Sequence, residues 1–216
     1  MFILNESPSI ANQFLTELRD VTRQNDRMRF RRNLERLGEI MAYELSKSLD
    51  YQIEEIKSPL SLTSIYNLKE TPVILSVMRA ALPYYQGVIN YFDNADSGFI
   101  GAYRKTHHSV EDEIEIDLNY IAAPSIENKE VIIVDPMLAT GKSFVKSVHH
   151  LLENGNPKMV HIMAVIAAPE GIEFIQKNLK IPHKFWIGAM DQELNDMAYI
   201  VPGLGDAGDL AFGPKL

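Results

Sequence analysis

The chain predicts an α/β fold with a mostly parallel central sheet and helices on both of its faces. Three observations predict it. Short apolar, β-branched runs alternate with helical patterns along the sequence. Several of those runs are continuously apolar, as strands covered on both faces are. Arg79, Arg104 and Asp135 each fall at the end of such a run, and ligands on these sheets bind beyond the carboxyl ends of the strands. No linker, repeat or low-complexity tract interrupts residues 1–216, which read as one domain long enough for a sizeable core.

Phe14, Leu15, Leu18 and Val21 predict a first helix. Leu34, Leu37, Met41 and Leu45, spaced 3-4-4, predict a second. It starts among Arg27, Arg29, Arg31 and Arg32. A charge run of this kind is ordinarily a solvated face; the competing reading is a subunit contact or an effector site for an anionic nucleotide. Val73 to Met78 reads as a buried strand, with Arg79 just past its end. Phe99 to Tyr103 is a second strand, ending at Arg104. Glu113 to Tyr120 alternates, with Ile114, Ile116, Leu118 and Tyr120 on one face, the period of a half-exposed strand. Residues 104 to 112 are then the tip of a mobile hairpin flap, and His107 and His108 read as exposed flap residues rather than ligands. Val131 to Val134 is the central strand, and a helical pattern begins at Phe144. Met159 to Ala167 and Phe185 to Ala189 are further strands, separated by a helix near Gly171 to Leu179. Pro202, Gly203, Gly205 and Gly208 make the C-terminal stretch irregular.

The most informative stretch is Val131-Ile-Ile-Val-Asp-Pro-Met-Leu-Ala-Thr-Gly-Lys-Ser143. A buried strand ends on an acid, Asp135, and a compact loop, Ala139 to Ser143, leads into a helix. Such a unit points backbone N–H groups and a helix N-terminus at one spot, which suits a phosphate group. The neighbouring carboxylate can bind sugar hydroxyls. The local chemistry is that of a phosphorylated-sugar site. Gly-Lys-Ser also invites a P-loop reading, but that motif needs glycine five positions before Gly141, where Pro136 stands. The plain alternative is a strand-to-helix turn with an N-cap serine.

Composition narrows the function classes. Apolar content of 46% and charged content of 23% are those of an ordinary globular protein. A net charge of −8 argues against broad nucleic-acid or anionic-membrane binding, though not against a small basic pocket. With no cysteine there is neither a disulfide frame nor a thiol nucleophile. The N-terminus lacks a secretory pattern and no apolar run reaches the ~20 residues of a membrane span, so a cytoplasmic location is expected.

Asp135-Pro-Met-Leu-Ala-Thr-Gly-Lys-Ser143 resembles the phosphoribosyl pyrophosphate (PRPP) motif of uracil phosphoribosyltransferases. Tyr199-Ile-Val-Pro-Gly-Leu-Gly-Asp-Ala-Gly-Asp209 is similar to that family's uracil-binding segment. Ala167-Ala-Pro-Glu-Gly171, Met190-Asp-Gln-Glu-Leu-Asn195, and the arginines of Val77-Met-Arg-Ala-Ala81 and Ala102-Tyr-Arg104 resemble it too, in matching order from about Thr22 to Gly213. The resemblance implies a phosphoribosyltransferase-like fold. It divides the chain into an N-terminal helical segment (about 10–50), a PRPP-binding core (about 70–190) and a C-terminal uracil-binding segment (about 190–216). The implied reaction joins uracil to PRPP, giving uridine monophosphate (UMP) and pyrophosphate.

On that reading Asp135, Pro136, Met137, Leu138, Ala139, Thr140, Gly141, Lys142 and Ser143 bind PRPP with Arg79, Arg104 and Asp206. Ile200, Gly205, Asp206 and Ala207 bind uracil, and Asp206, Asp135 and Arg104 are the catalytic candidates. The implied cofactor is Mg²⁺, held mainly by PRPP oxygens and water, with no dedicated protein ligand set. A homodimer or higher homo-oligomer and a GTP effector are the implied partners. A non-catalytic or regulatory paralogue that binds PRPP or a pyrimidine nucleotide is the alternative. Three positions depart from the family pattern: Lys142 and Ala81 replace glycines, and Leu210 stands where a basic residue is common.

Overall fold

The computed structural model describes residues 1–104 and 116–214. In chain order the strands and helices are β1 (Phe2–Ile3), α1 (Ile10–Arg19), α2 (Arg27–Ser46), β2 (Tyr51–Lys57), β3 (Leu62–Leu68), β4 (Val73–Met78), α3 (Leu82–Ile89), β5 (Ser97–Arg104) and β6 (Ile116–Ala122). There follow β7 (Glu130–Val134), β8 (Met137–Leu138), α4 (Lys142–Leu151), β9 (Met159–Ala167), α5 (Pro169–Asn178), β10 (His183–Met190), β11 (Glu193–Leu194), β12 (Ile200–Val201) and α6 (Ala207–Phe212).

The main sheet runs β1-β10-β9-β7-β4-β5-β6, with β8 added alongside β9. Every pairing is parallel except β5 with β6. Alternate residues of each strand feed two cores. Ile132 and Val134 of β7 pack with α1, α2, α3 and α6 on one face. Val131 and Ile133 pack with α4 and α5 on the other. This two-sided burial is why the strands read as unbroken apolar runs. From the neighbours β4 and β7 the chain winds outward in opposite directions, so the sheet's switch point lies between them.

The N-terminal helices differ from expectation at one end. Leu34, Leu37, Met41 and Leu45 are all buried on α2, which Asp26 caps by accepting the Arg29 N–H at 3.0 Å. Val21, however, lies outside α1 and is exposed. Asp20 accepts both the N–H and the hydroxyl of Thr22, at 2.8 and 2.6 Å, and this turn stops the helix before Val21.

On β6 the expected common face is also broken. Gly101 pairs with Tyr120 but Ala102 pairs with Leu118, leaving Asn119 as an extra residue. A bulge of this kind switches the alternation. Tyr120 is exposed, and Ile121 packs against the core instead. The flap residues His107 and His108, and the side chain of Arg104, lie outside the described residues.

The β2–β3 ribbon was not expected. It forms its own two-stranded antiparallel sheet, and Ile53, Leu62 and Tyr66 on it are exposed. Among the described residues, no helix is long and apolar enough to cross a membrane.

Candidate active site

Asp135 directly follows β7. Its N–H donates to the Met163 carbonyl at 3.1 Å, and its carboxylate accepts the Met137 N–H at 3.2 Å. The Pro136 carbonyl accepts the N–H groups of Val165 and Ile166 at 3.1 and 3.0 Å. Met137 and Leu138 then pair with Ile166 and Ala167 of β9. The free loop is therefore shorter than expected, Ala139 to Gly141. Helix α4 begins at Lys142, two residues before the expected Phe144.

Gly141, not a serine, occupies the N-cap position, with φ +71°. Ser143 lies inside the first turn, where its hydroxyl joins the N–H groups that no helical carbonyl can accept. The Lys142 N–H makes a long contact of 3.4 Å with the Thr140 hydroxyl. Lys142 is helical and is not among the positive-φ residues, so a lysine fits there without strain. A β-carbon on Gly141 would stand 2.6 Å from the Gly171 carbonyl oxygen. The loop thus lies backbone to backbone against the start of α5, which explains why Ala167-Ala-Pro-Glu-Gly171 accompanies the loop motif.

Arg79 follows β4, the strand paired directly with β7, so Arg79 and Asp135 stand at the ends of neighbouring strands. The Arg79 Nη2 donates to Asp209 Oδ1 at 2.9 Å and to the Gly213 carbonyl at 3.3 Å. Its Nε is buried and has no partner among the described residues. Ala81 caps α3 with an ordinary φ of −73°, and its methyl is packed in the core.

The C-terminal segment is more regular than its glycines imply. β11 and β12 pair as a short antiparallel ribbon, and α6 follows. Gly203 and Gly205 carry φ of +64° and +91°, which only glycine adopts readily. Asp206 caps α6, its carboxylate accepting the Asp209 N–H at 3.0 Å. A β-carbon on Gly208 would lie 3.1 Å from Asp206 Oδ1 and 3.5 Å from Arg79 Nη2, so both side chains border the first turn of α6. Ile200 is buried in the core, leaving only its main chain for a ligand. Gly205 and Asp206 line a cleft of about 320 Å³ with Gln24, Asn25, Arg27, Asp209 and Leu210.

Arg79, Asp135, loop 139–143 and the 200–207 segment thus gather around the carboxyl ends of β4 and β7. The expected residue that cannot be placed is Arg104, whose side chain lies outside the described residues.

A model of the uracil phosphoribosyltransferase family matches residues 5 to 214. The chain belongs to that family. The uracil phosphoribosyltransferase of Porphyromonas gingivalis is 45% identical over 213 residues, covering 99% of this chain and 98% of its own. That of Pyrococcus furiosus is 39% identical over 217 residues, covering 99% and 90%. The solved AQ2163 protein of Aquifex aeolicus superimposes with a TM-score of 0.85 at 30% identity, covering 98% of both chains. A hypoxanthine-guanine phosphoribosyltransferase from Bacillus anthracis shares the fold more distantly, with a TM-score of 0.50 at 15% identity over 75% of this chain and 81% of its own.

Against the uracil phosphoribosyltransferase motifs, sequence reasoning left out Asp209, Gln24, Arg19 and Asp191, and it read Arg27 only as part of the arginine run. Asp209 ends the quoted C-terminal motif and Asp191 lies inside another, so their motif positions were the available signal. Arg19 and Gln24 act across the fold and carry no local signature. The arginine run is mostly spent on internal contacts. Arg29 pairs with Glu17 at 2.7 Å, Arg31 donates to the Ala211 carbonyl at 2.7 Å, and Arg32 pairs with Glu35 at 2.7 Å.

Proposed function

We propose that the protein transfers the 5-phosphoribosyl group of PRPP to uracil, giving UMP and pyrophosphate. The observation that carries this reading is that Arg79 and Asp206 border the same first turn of α6, beside a strand-loop-helix unit whose free N–H groups suit a phosphate. N–H groups at the start of α4, with the hydroxyls of Thr140 and Ser143, hold the 5′-phosphate. Lys142 adds a positive charge at the mouth of that loop. Asp135 binds the ribose hydroxyls through charge-assisted hydrogen bonds. Arg79, steadied by Asp209 and Gly213, offers the exposed part of its guanidinium to the pyrophosphate, and Arg104 of the flap joins it.

Uracil rests against the main chain of Ile200, Gly205, Asp206 and Ala207. Fixed donors and acceptors there match its O4 and N3–H edge, and cytosine presents the reverse. As the bond at ribose C1 breaks, charge grows on the departing pyrophosphate, and the guanidinium groups stabilise it. Asp206 takes the N1 proton through water or helps to hold Mg²⁺ and its waters near the pyrophosphate.

Among the described residues no cluster of three or more His, Asp or Glu side chains could hold a metal on its own. The donor set fits Mg²⁺ held chiefly by substrate oxygens and water, with a single carboxylate, Asp135 or Asp206, nearby. When bound, such an ion neutralises charge on the leaving pyrophosphate.

Two partner assignments belong to this reading. The exposed Ile53, Leu62 and Tyr66 of the β2–β3 ribbon support a homo-oligomer, since an isolated two-stranded ribbon is marginal in water. Arg27, with no ion-pair partner among the described residues, is the group left on the arginine run to meet an anionic effector such as GTP.

The test is incubation of the purified protein with PRPP, Mg²⁺ and each nucleobase in turn. UMP and pyrophosphate should form in equal amounts from uracil, and cytosine should be rejected by about 10⁴-fold or more. Turnover of a purine in preference to uracil, or no monophosphate from any base, would overturn the assignment.

A further inference from the structure

The loop that carries the base-reading main chain is tied down from behind by a residue far away in sequence. Arg19, the last residue of α1, donates through Nη1 to Asp191 Oδ2 at 3.0 Å and to the Gly203 carbonyl at 2.9 Å. Its Nη2 donates to the other Asp191 oxygen. Asp191 in turn accepts the Gly203 N–H at 2.9 Å. Both polar groups of the Gly203 peptide are thus gripped by one ion pair. Gln24 extends the grip, its Nε2 donating to the Leu204 carbonyl at 3.1 Å. The Gln192 N–H donates to the Val201 carbonyl at 3.0 Å.

The pair is well shielded: the Asp191 side chain is 3% exposed and that of Arg19 24%. A forked guanidinium on a carboxylate fixes orientation as well as distance, which a lysine cannot do. The loop it holds is conformationally demanding, with positive φ at Gly203 and Gly205. The polar groups on its inner side are satisfied by the strap, while Gly205, the next residue, is exposed and lines the cleft. Inner atoms are fixed so that outer ones stay aimed.

We propose that Arg19 and Asp191 are positioning residues that hold the 200–205 loop in its base-reading shape and thereby set the affinity for the nucleobase independently of PRPP, Asp206 being fixed separately as the cap of α6. This rests on the assignment of residues 200–207 to uracil. Neither residue touches the base; they act through Gly203.

Removing Arg19 alone would strand a buried carboxylate. The test variant is therefore Arg19→Met combined with Asp191→Asn, since asparagine keeps an oxygen for the Gly203 N–H. Arg19→Lys serves as the conservative comparison. Uracil KM should rise about tenfold or more in the double variant and by less in Arg19→Lys, with kcat at saturating uracil and PRPP affinity within about threefold of wild type. Amide exchange should quicken at residues 203 to 205 and stay unchanged at 139 to 145. Equal rises in KM for both substrates, or a lower melting temperature with unchanged uracil KM, would overturn the proposal. Exchange needs no turnover. If the wild-type protein made no UMP, the functional assignment would fall, while unchanged exchange at 203 to 205 would independently sink the strap.

Discussion

A β-carbon placed on Gly171 would stand 2.1 Å from the carbonyl oxygen of Ala139. The first turn of α5 and the loop before α4 are therefore in contact through main chain alone, and nothing flexible separates them. The loop's shape depends on a residue that contributes no side chain.

Gly171→Ala should accordingly displace the 139–141 loop. Overpacking of this kind costs about 1–3 kcal/mol, or a melting-temperature loss of roughly 2–12 °C for a chain of this size. PRPP affinity should fall as well. Calorimetric melting and PRPP titration of the one variant check both effects; native affinity with native stability would show that the loop yields easily.

Asp206 is both the cap of α6 and the proposed proton acceptor, and asparagine separates the two roles because it caps as well as aspartate does. Asp206→Asn should leave the melting temperature within a degree or two, since cap exchange costs only a few tenths of a kcal/mol. Its kcat should drop by at least ~10²-fold while PRPP still binds. Asp206→Ala should add the loss of the cap, about 1 kcal/mol. A fully active Asp206→Asn protein would remove the residue from the chemistry.

Asp135 is held in place by its own N–H and by the Met137 amide, so changing its charge should not move it. Asp135→Asn is expected to keep the fold and lose most activity, because charge-assisted hydrogen bonds to ribose are about twice as strong as neutral ones. Circular dichroism and steady-state kinetics in PRPP provide the measurement, and near-native catalysis would make Asp135 purely structural.

Glu17 gives a pH dependence. The hydrogen bonds from Arg29, helped by Asn33, hold its carboxyl down to about 2 from an ordinary 4.5. Because the folded value lies below the unfolded one, the unfolded chain binds the extra proton between those limits. The contribution is complete above about pH 4.5 and is lost as pH falls towards 2. Glu17→Gln should therefore be less stable than wild type at pH 6, with the gap closing as the solution is acidified. Urea midpoints measured between pH 2 and 6 decide it, and a gap that stays constant would contradict the linkage.

The sheet was largely legible because its strands are buried on both faces. Val73–Met78 and Met159–Ala167 are found at their expected limits. The β2–β3 ribbon escaped notice for the opposite reason. Its apolar residues other than Leu68 are largely exposed, and Glu54 and Glu55 interrupt the alternation. Helix α6 was hidden by the glycines around it, since Asp206 starts a helix where the composition reads as a turn. The loop motif, Arg79 and Asp135 could be placed from local sequence. The Arg19–Asp191 contact could not: it joins residues 172 apart, and neither end looks unusual by itself.

Within the proposed site, sugar phosphate and base are handled by different stretches of chain that share Asp206 and are linked through Arg79 to Asp209 and Gly213. The strands and the α4 loop form one module; the stretch after β10, braced by α1, forms another. Such a layout lets nucleobase preference diverge without disturbing the ribose-phosphate cradle. A change of base preference in that terminal module would therefore have to carry its brace at Arg19 along with it, while the sheet stayed as it is.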